Sequence, residues 1–249
     1  MCIRDSFPTA ARVATELYRL RYDVEIDGVL AIDQHALRLF VAALQPLRVL
    51  EYPEPLTSEN VIPAIRRSWA PAPGEGLTAE WRRRHKDFMG RLLTAAVHRL
   101  QLQDGPDRVN LTSLGAAALR ALEERHLFVY LPEGGAAAEA LHQAGWDGAL
   151  RDVPGDYLMV VDANLGFNKV NPYVTESLSY TVDLRDPAAP RANLTLIHTH
   201  TSPLTGVPCR HEARYDLSYE QMMHRCYWDY VRVYVPGGSR LLELSLIHI

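Results

Sequence analysis

Period-two alternation marks the last third of the chain. Across Tyr173–Leu184, Val174, Leu178, Tyr180, Val182 and Leu184 fall on one face, and Thr175, Ser177, Ser179 and Thr181 on the other, which predicts a half-buried strand. Further strands are predicted at Tyr157–Val161, Ala192–His200 and Tyr227–Val235, with a stub at Arg240–Leu242. Asp186–Pro190 reads as the loop of a hairpin, and Tyr219–Arg225 as one or two helical turns. Between the first two strands lies a turn rich in Asn and Gly, with Asn164, Gly166, Asn168, Asn171 and Pro172.

The first 150 residues instead mix helical periodicity with short apolar runs. A helix starting near Thr9 carries Val13, Leu17 and Leu20 inward. Val24–Ile32 is a strand, Asp33 caps a helix over Gln34–Leu44, and Leu47–Leu50 is a short strand. Thr57 or Ser58 caps a helix through Trp69. The longest helix is predicted over Ala79–Leu102, with Trp81, Phe88, Leu92, Ala96 and Leu100 on its apolar face, and Asp104–Pro106 stops it. A helix over Ser113–Arg125, a strand over His126–Leu131 and a helix over Ala136–Ala144 follow. The fold class is therefore mixed, α+β or α/β. A helix-flanked sheet over residues 7–150 precedes an antiparallel β-rich portion over residues 151–243.

Composition narrows the function only slightly. The chain has 249 residues, 47% hydrophobic and 22% charged, and a net charge of -4, so nothing points to nucleic acid as a partner. No apolar run reaches the roughly 20 residues of a membrane helix. Met1–Ser6 and Leu244–Ile249 read as non-native, adapter-derived ends of a metagenomic fragment. Cys209 and Cys226 are either a disulfide of an oxidising compartment or two separate thiols.

Three groups of residues carry candidate chemistry. Arg82, Arg83, Arg84, His85 and Lys86 fall on the first turns of the predicted long helix, where free backbone N–H groups and guanidinium forks can bind phosphate or pyrophosphate. The plain alternative is a solvated basic face. Asp162, Asn164 and Asn168 have oxygens at spacings faintly like a calcium loop, with Lys169 as an anion contact; Asn and Gly are equally what turns need. His198 and His200 point to one side of a strand, where a metal would need a third ligand such as His211 or Cys209. The strand face they share with Leu194 and Leu196 argues for core, and no metal is expected there. No catalytic residue is identified.

Several segments together resemble the bacterial DUF4012 family, over nearly all of Phe7–Glu243. They are FPTAARVA from Phe7, VEIDGVLAID from Val24, YPEPLTSENV from Tyr52, HKDFMG from His85, DYLMVVDANLGFNKVN from Asp156 and CYWDYVRVYVPGGSRLL from Cys226. The resemblance implies a larger extracytoplasmic protein of the cell envelope, anchored in the membrane by an N-terminal half absent here. The run from Val24 to Val49 is more distantly similar to the strand–helix–strand of LytR-CpsA-Psr phosphotransferases, and Arg84–Phe88 to their motif helix start. On that likeness Arg84 matches the motif arginine, while His85 stands where Gln is usual. It implies a polyprenyl-pyrophosphate glycopolymer as substrate, transfer to the cell wall, and Mg²⁺ as cofactor. The expectation from a different class is a non-catalytic envelope protein that binds glycans or protein partners through its β-rich half.

Overall fold

A computed structural model describes residues 6–71, 78–101, 108–132, 135–151, 153–204, 206–212 and 219–247. It divides into two compact units, one containing Leu158–Val235 and the other containing Cys2–Ala70, Glu80–Tyr157 and Pro236–Ile249.

The larger unit is built on helices. α1 spans Phe7–Tyr22, β1 Val29–Ile32, α2 Gln34–Leu44 and α3 Val61–Trp69. α4 spans Ala79–Arg84, α5 Asp87–Gln101, α6 Leu111–Glu123, β2 Leu127–Tyr130 and α7 Ala136–Ala144. α2 starts where Asp33 accepts hydrogen bonds from the backbone N–H of His35 and Ala36, satisfying two donors the helix leaves open. Its buried Val41 and Leu44 pack with Val61, Ala64 and Ile65 of α3 and Phe88 and Leu92 of α5 to form the main core. A second cluster, Ala36, Ala121 and Leu127, joins α2 to α6 and β2. Among the described residues its sheet is a single antiparallel pair, with Val29 opposite Tyr130 and Ile32 opposite Leu127.

Five expectations for this unit are corrected. Of the strand expected over Val24–Ile32, only Val29–Ile32 forms. Leu47–Leu50 makes only an isolated bridge, Leu47 to Leu56, because its backbone turns back at Leu50 and Glu51. α3 begins at Val61, with Asn60 rather than Thr57 or Ser58 at its start. Val13, Leu17 and Leu20 of α1 are all exposed; the helix buries Ala11 instead and packs on β2, where the Phe7 and Phe128 rings lie 5.8 Å apart. The long helix is two helices. The break falls where the dipoles favour it: Arg83 and Arg84 end α4, and Asp87 opens α5.

The smaller unit is β-rich. β3 spans Met159–Asn164, β4 Val174–Asp183, β5 Arg191–His200 and β6 Asp229–Tyr234, and a short helix α8 spans Tyr219–Met223. β4 and β5 form the expected hairpin across residues 184–190, and β3 pairs antiparallel with β6. The predicted stub at Arg240–Leu242 is not a strand. Among the described residues the buried apolar core here is thin, Ala163, Val170 and Met222, and buried polar groups supplement it. The Arg225 guanidinium donates to the carbonyls of Arg210 and Glu212, and His224 meets Ser202 at 2.7 Å. The Cys209 and Cys226 sulfurs are joined, with their Cα atoms 5.4 Å apart. Among the described residues of the whole chain, no helix is long and apolar enough to cross a membrane. The expected helix stop at Asp104–Pro106 lies outside the described residues.

Candidate metal centre

Each strand of the smaller unit brings one ionisable side chain to a common point. In the β3–β6 register Asp162 sits opposite Val231 and Asn164 opposite Asp229, so the two aspartates are diagonal neighbours on one face. In the hairpin Glu176 sits directly opposite His198. The faces meet at His198, whose Nε2 lies 3.4 Å from Asp162 Oδ1, 3.6 Å from Asp229 Oδ2 and 4.0 Å from Glu176 Oε2. One ligand atom each from Asp162, Glu176 and His198 falls within a mutual 4.8 Å.

This is an expensive arrangement for a folded chain. At about 4 Å and an effective dielectric constant of ~20, two like charges repel by about 4 kcal/mol. Burial and the neighbouring Glu176 push the Asp162 carboxyl above the usual range, despite the attraction of His198. Burial and Asp162 do the same to Asp229, and burial with the charges of Asp229 and Asp162 raises the Tyr227 phenol. Relief is partial: the Tyr227 phenol and His198 lower the Asp229 carboxyl without outweighing burial and Asp162. Asp229 Oδ1 accepts from the Ala163 N–H at 3.1 Å, whereas Asp229 Oδ2, Asp162 Oδ1 and His198 Nε2 are buried with no hydrogen-bond partner. Three carboxylates and one imidazole are the donor set of a divalent cation of the Mg²⁺ or Mn²⁺ type, with the histidine tilting the preference toward Mn²⁺. A cation here converts the repulsion into attraction.

Most of the residues singled out in the sequence lie elsewhere. His200 shares the strand face of His198 but is already engaged: its Nε2–H donates to the Arg225 carbonyl at 2.9 Å, and its Nδ1 accepts from the Ser202 N–H at 3.2 Å. His211 donates to the Leu165 carbonyl at 2.9 Å and packs between Phe167 and Trp228, and Cys209 is in the disulfide. The expected polar turn site separates. Asn164 Nδ2 donates to Asn168 and Asn171 at 2.8 Å, its Oδ1 accepts from the Gly166 N–H, and Asn168 Nδ2 donates to the Cys226 carbonyl. These two asparagines shape the turn. Gly166 is required because a Cβ there would stand 2.4 Å from Asn168 Nδ2. Lys169 is exposed, and only Asp162 belongs to the carboxylate cluster.

The basic run does not open a long helix. Arg83 and Arg84 close α4, and His85 and Lys86 form the turn before α5. Arg84 pairs with Glu80 at 3.2 Å, and the His85 ring stacks on Trp81 at 4.5 Å. Arg83 and Lys86 are exposed, and the Arg82 side chain lies outside the described residues. The argument from free N–H groups at a helix start therefore does not apply to Arg82, Arg83 and Arg84; the start of α5 lies after Lys86.

Comparison with known proteins places only the N-terminal quarter. Residues 1–69 match the DUF4012 family model. That family is described as a protein of unknown function. No curated protein and no solved structure matches the chain. The DUF4012 match covers α1, β1, α2 and α3, including the segments from Phe7, Val24 and Tyr52. The four residues of the carboxylate–histidine cluster lie beyond it. Glu176 and Asp229 were missed from sequence, although Glu176 interrupts the apolar face of Val174, Leu178, Tyr180 and Val182, and Asp229 opens the run DYVRVY.

Proposed function

We propose that this chain is part of an extracytoplasmic cell-envelope protein whose β-rich unit binds a divalent cation, Mg²⁺ or Mn²⁺. Through that cation it binds the pyrophosphate of a polyprenyl-carried glycopolymer. The observation that carries the cation is the convergence of Asp162, Glu176 and Asp229 on His198, with three buried ligand atoms lacking hydrogen-bond partners. The joined Cys209 and Cys226 support an oxidising compartment, since such bonds are rare in the cytosol. The glycopolymer rests on the likeness of Val24–Val49 and Arg84–Phe88 to LytR-CpsA-Psr phosphotransferases. A hard cation that keeps open positions takes phosphate oxygens there, which is how Mg²⁺ commonly engages phosphate ligands. Glu176 stands at the exposed side of the cluster, the side from which such a ligand arrives.

The test is binding of inorganic pyrophosphate to the EDTA-treated full chain, with and without Mn²⁺. Binding that requires Mn²⁺ and disappears in Asp162→Asn supports the reading. Mn²⁺ binding with no pyrophosphate binding would leave a cation site and remove the glycopolymer. Pyrophosphate binding that ignores Mn²⁺ but falls in Arg83→Ala or Lys86→Ala would move the anion to the basic run.

A further inference from the structure

The larger unit carries a second convergence of ligand groups, of different chemistry and at a different place. Asp33, at the start of α2, accepts from the backbone N–H of His35 and Ala36 through Oδ1, at 2.8 and 2.9 Å. Its other oxygen, Oδ2, lies 2.6 Å from Nδ1 of His126, which stands one residue before β2. The backbone fixes this meeting, because the Asp33 N–H donates to the His126 carbonyl at 3.2 Å and Ile32 pairs with Leu127. Glu124 and His126 flank Arg125, whose φ of 61° makes the sharp exit from α6. The His35 and His126 rings lie 4.3 Å apart, and His35 Nε2 is 3.4 Å from Glu124 Oε2. The other Glu124 oxygen accepts from Arg120 at 2.9 Å. One ligand atom each from His35, Glu124 and His126 falls within a mutual 4.8 Å.

Two details point past a chance surface cluster. A carboxylate only accepts, so the 2.6 Å contact puts the proton of neutral His126 on Nδ1 and leaves the Nε2 lone pair available. This is the carboxylate–histidine arrangement that orients metal-bound imidazoles. In addition, His35 Nε2 is itself buried with no hydrogen-bond partner, although its ring is partly exposed.

We propose that His35, His126 and Glu124 bind a Zn²⁺-class transition-metal ion, with Asp33 as the positioning residue for His126 and a fourth coordination position open to solvent. Two imidazoles and a carboxylate with an open fourth place are a donor set that Zn²⁺ and Co²⁺ take, unlike the carboxylate-rich set between the two strand pairs of the smaller unit. The ion ties the start of α2, the end of α6 and the start of β2 together.

The experiment uses the full chain carrying Asp162→Asn, the substitution expected to abolish cation binding at the other cluster, so that this cluster does not contribute to the result. EDTA-treated protein is titrated with Zn²⁺ by calorimetry and with Co²⁺ by visible absorption. The expected result is one equivalent of Zn²⁺ and Co²⁺ ligand-field bands showing nitrogen ligation. Adding His35→Ala or His126→Ala abolishes both. Asp33→Asn keeps a good helix cap but presents an amide N–H to Nδ1 of His126, driving the proton to Nε2. Zn²⁺ affinity should then fall about 10–100-fold, while circular dichroism stays unchanged. Zn²⁺ binding that survives His35→Ala and His126→Ala, or no Zn²⁺ binding by a chain shown to be folded, overturns the proposal.

Discussion

Asp162→Asn should make the metal-free protein more stable while abolishing its response to Mn²⁺. Asp162 is about four-fifths buried, and Oδ1 has no hydrogen-bond partner, so the substitution breaks no hydrogen bond at that atom. It removes one charge from a group of three carboxylates that only one histidine offsets. The bare repulsion of about 4 kcal/mol per pair at ~4 Å is an upper figure. Attraction to His198 is lost at the same time, and solvent reaches Glu176, so the net gain is about 1–2 kcal/mol. The new amide can also donate to Glu176 or Asp229. For a chain of this size each kcal/mol moves the melting temperature by about 2–4 °C, so a rise of several degrees is expected by calorimetry in EDTA. In saturating Mn²⁺ the order reverses, because only the native sequence gains from the ion. A fall in melting temperature in EDTA would refute the reasoning, since it would show Asp162 making a stabilising contact in the metal-free fold.

Other outcomes follow from groups outside both clusters. Burial alone would raise the Asp147 carboxyl, but hydrogen bonds from His142, the Ala149 N–H and Arg151 outweigh it and hold the carboxyl below its usual range. A depressed carboxyl contributes stability above its unfolded pKa of about 3.9, and that stability is lost as pH falls through the folded value. Asp147→Asn should therefore cost about 1–3 kcal/mol at neutral pH and flatten the loss of melting temperature below about pH 4. Reducing the Cys209–Cys226 bond, which closes a loop with sequence separation 17 in a unit with a thin core, should destabilise that unit by about 3 kcal/mol. Denaturation of the oxidised and reduced proteins checks this, and coincident curves would contradict it.

Where short-range patterning decided an element, the sequence disclosed it. The Asp33 cap with Pro46 beyond Gln45 set the bounds of α2, and alternation set the β4–β5 hairpin and its two faces. The split between α4 and α5 was harder to read, because the apolar stripe from Trp81 to Leu100 runs through it; only the change from arginines to Asp87 marks the boundary. The carboxylate–histidine cluster needed information that no single strand holds. His198 was legible as a ligand type and the hairpin puts Glu176 on the adjacent strand, but the β3–β6 pairing that brings Asp162 and Asp229 to it is not stated by either strand. The neighbour suggested by spacing, His200, turned out to be committed to the Arg225 carbonyl. The same holds for His35 and His126, which are brought together by the β1–β2 register rather than by any motif.

The central claim is that Asp162, Glu176, Asp229 and His198 form a divalent-cation site. The most direct measurement is Mn²⁺ titration of the EDTA-treated full chain followed by electron paramagnetic resonance, alongside Asp162→Asn and His198→Ala. The account predicts one bound Mn²⁺ lost in Asp162→Asn, weakened in His198→Ala and displaced by Mg²⁺. It also predicts that the native fold gains about 2.7 kcal/mol of stability at a hundredfold excess of Mn²⁺ over its dissociation constant. A native chain that leaves all the Mn²⁺ free, or that binds it equally with Asn at position 162, would contradict the account.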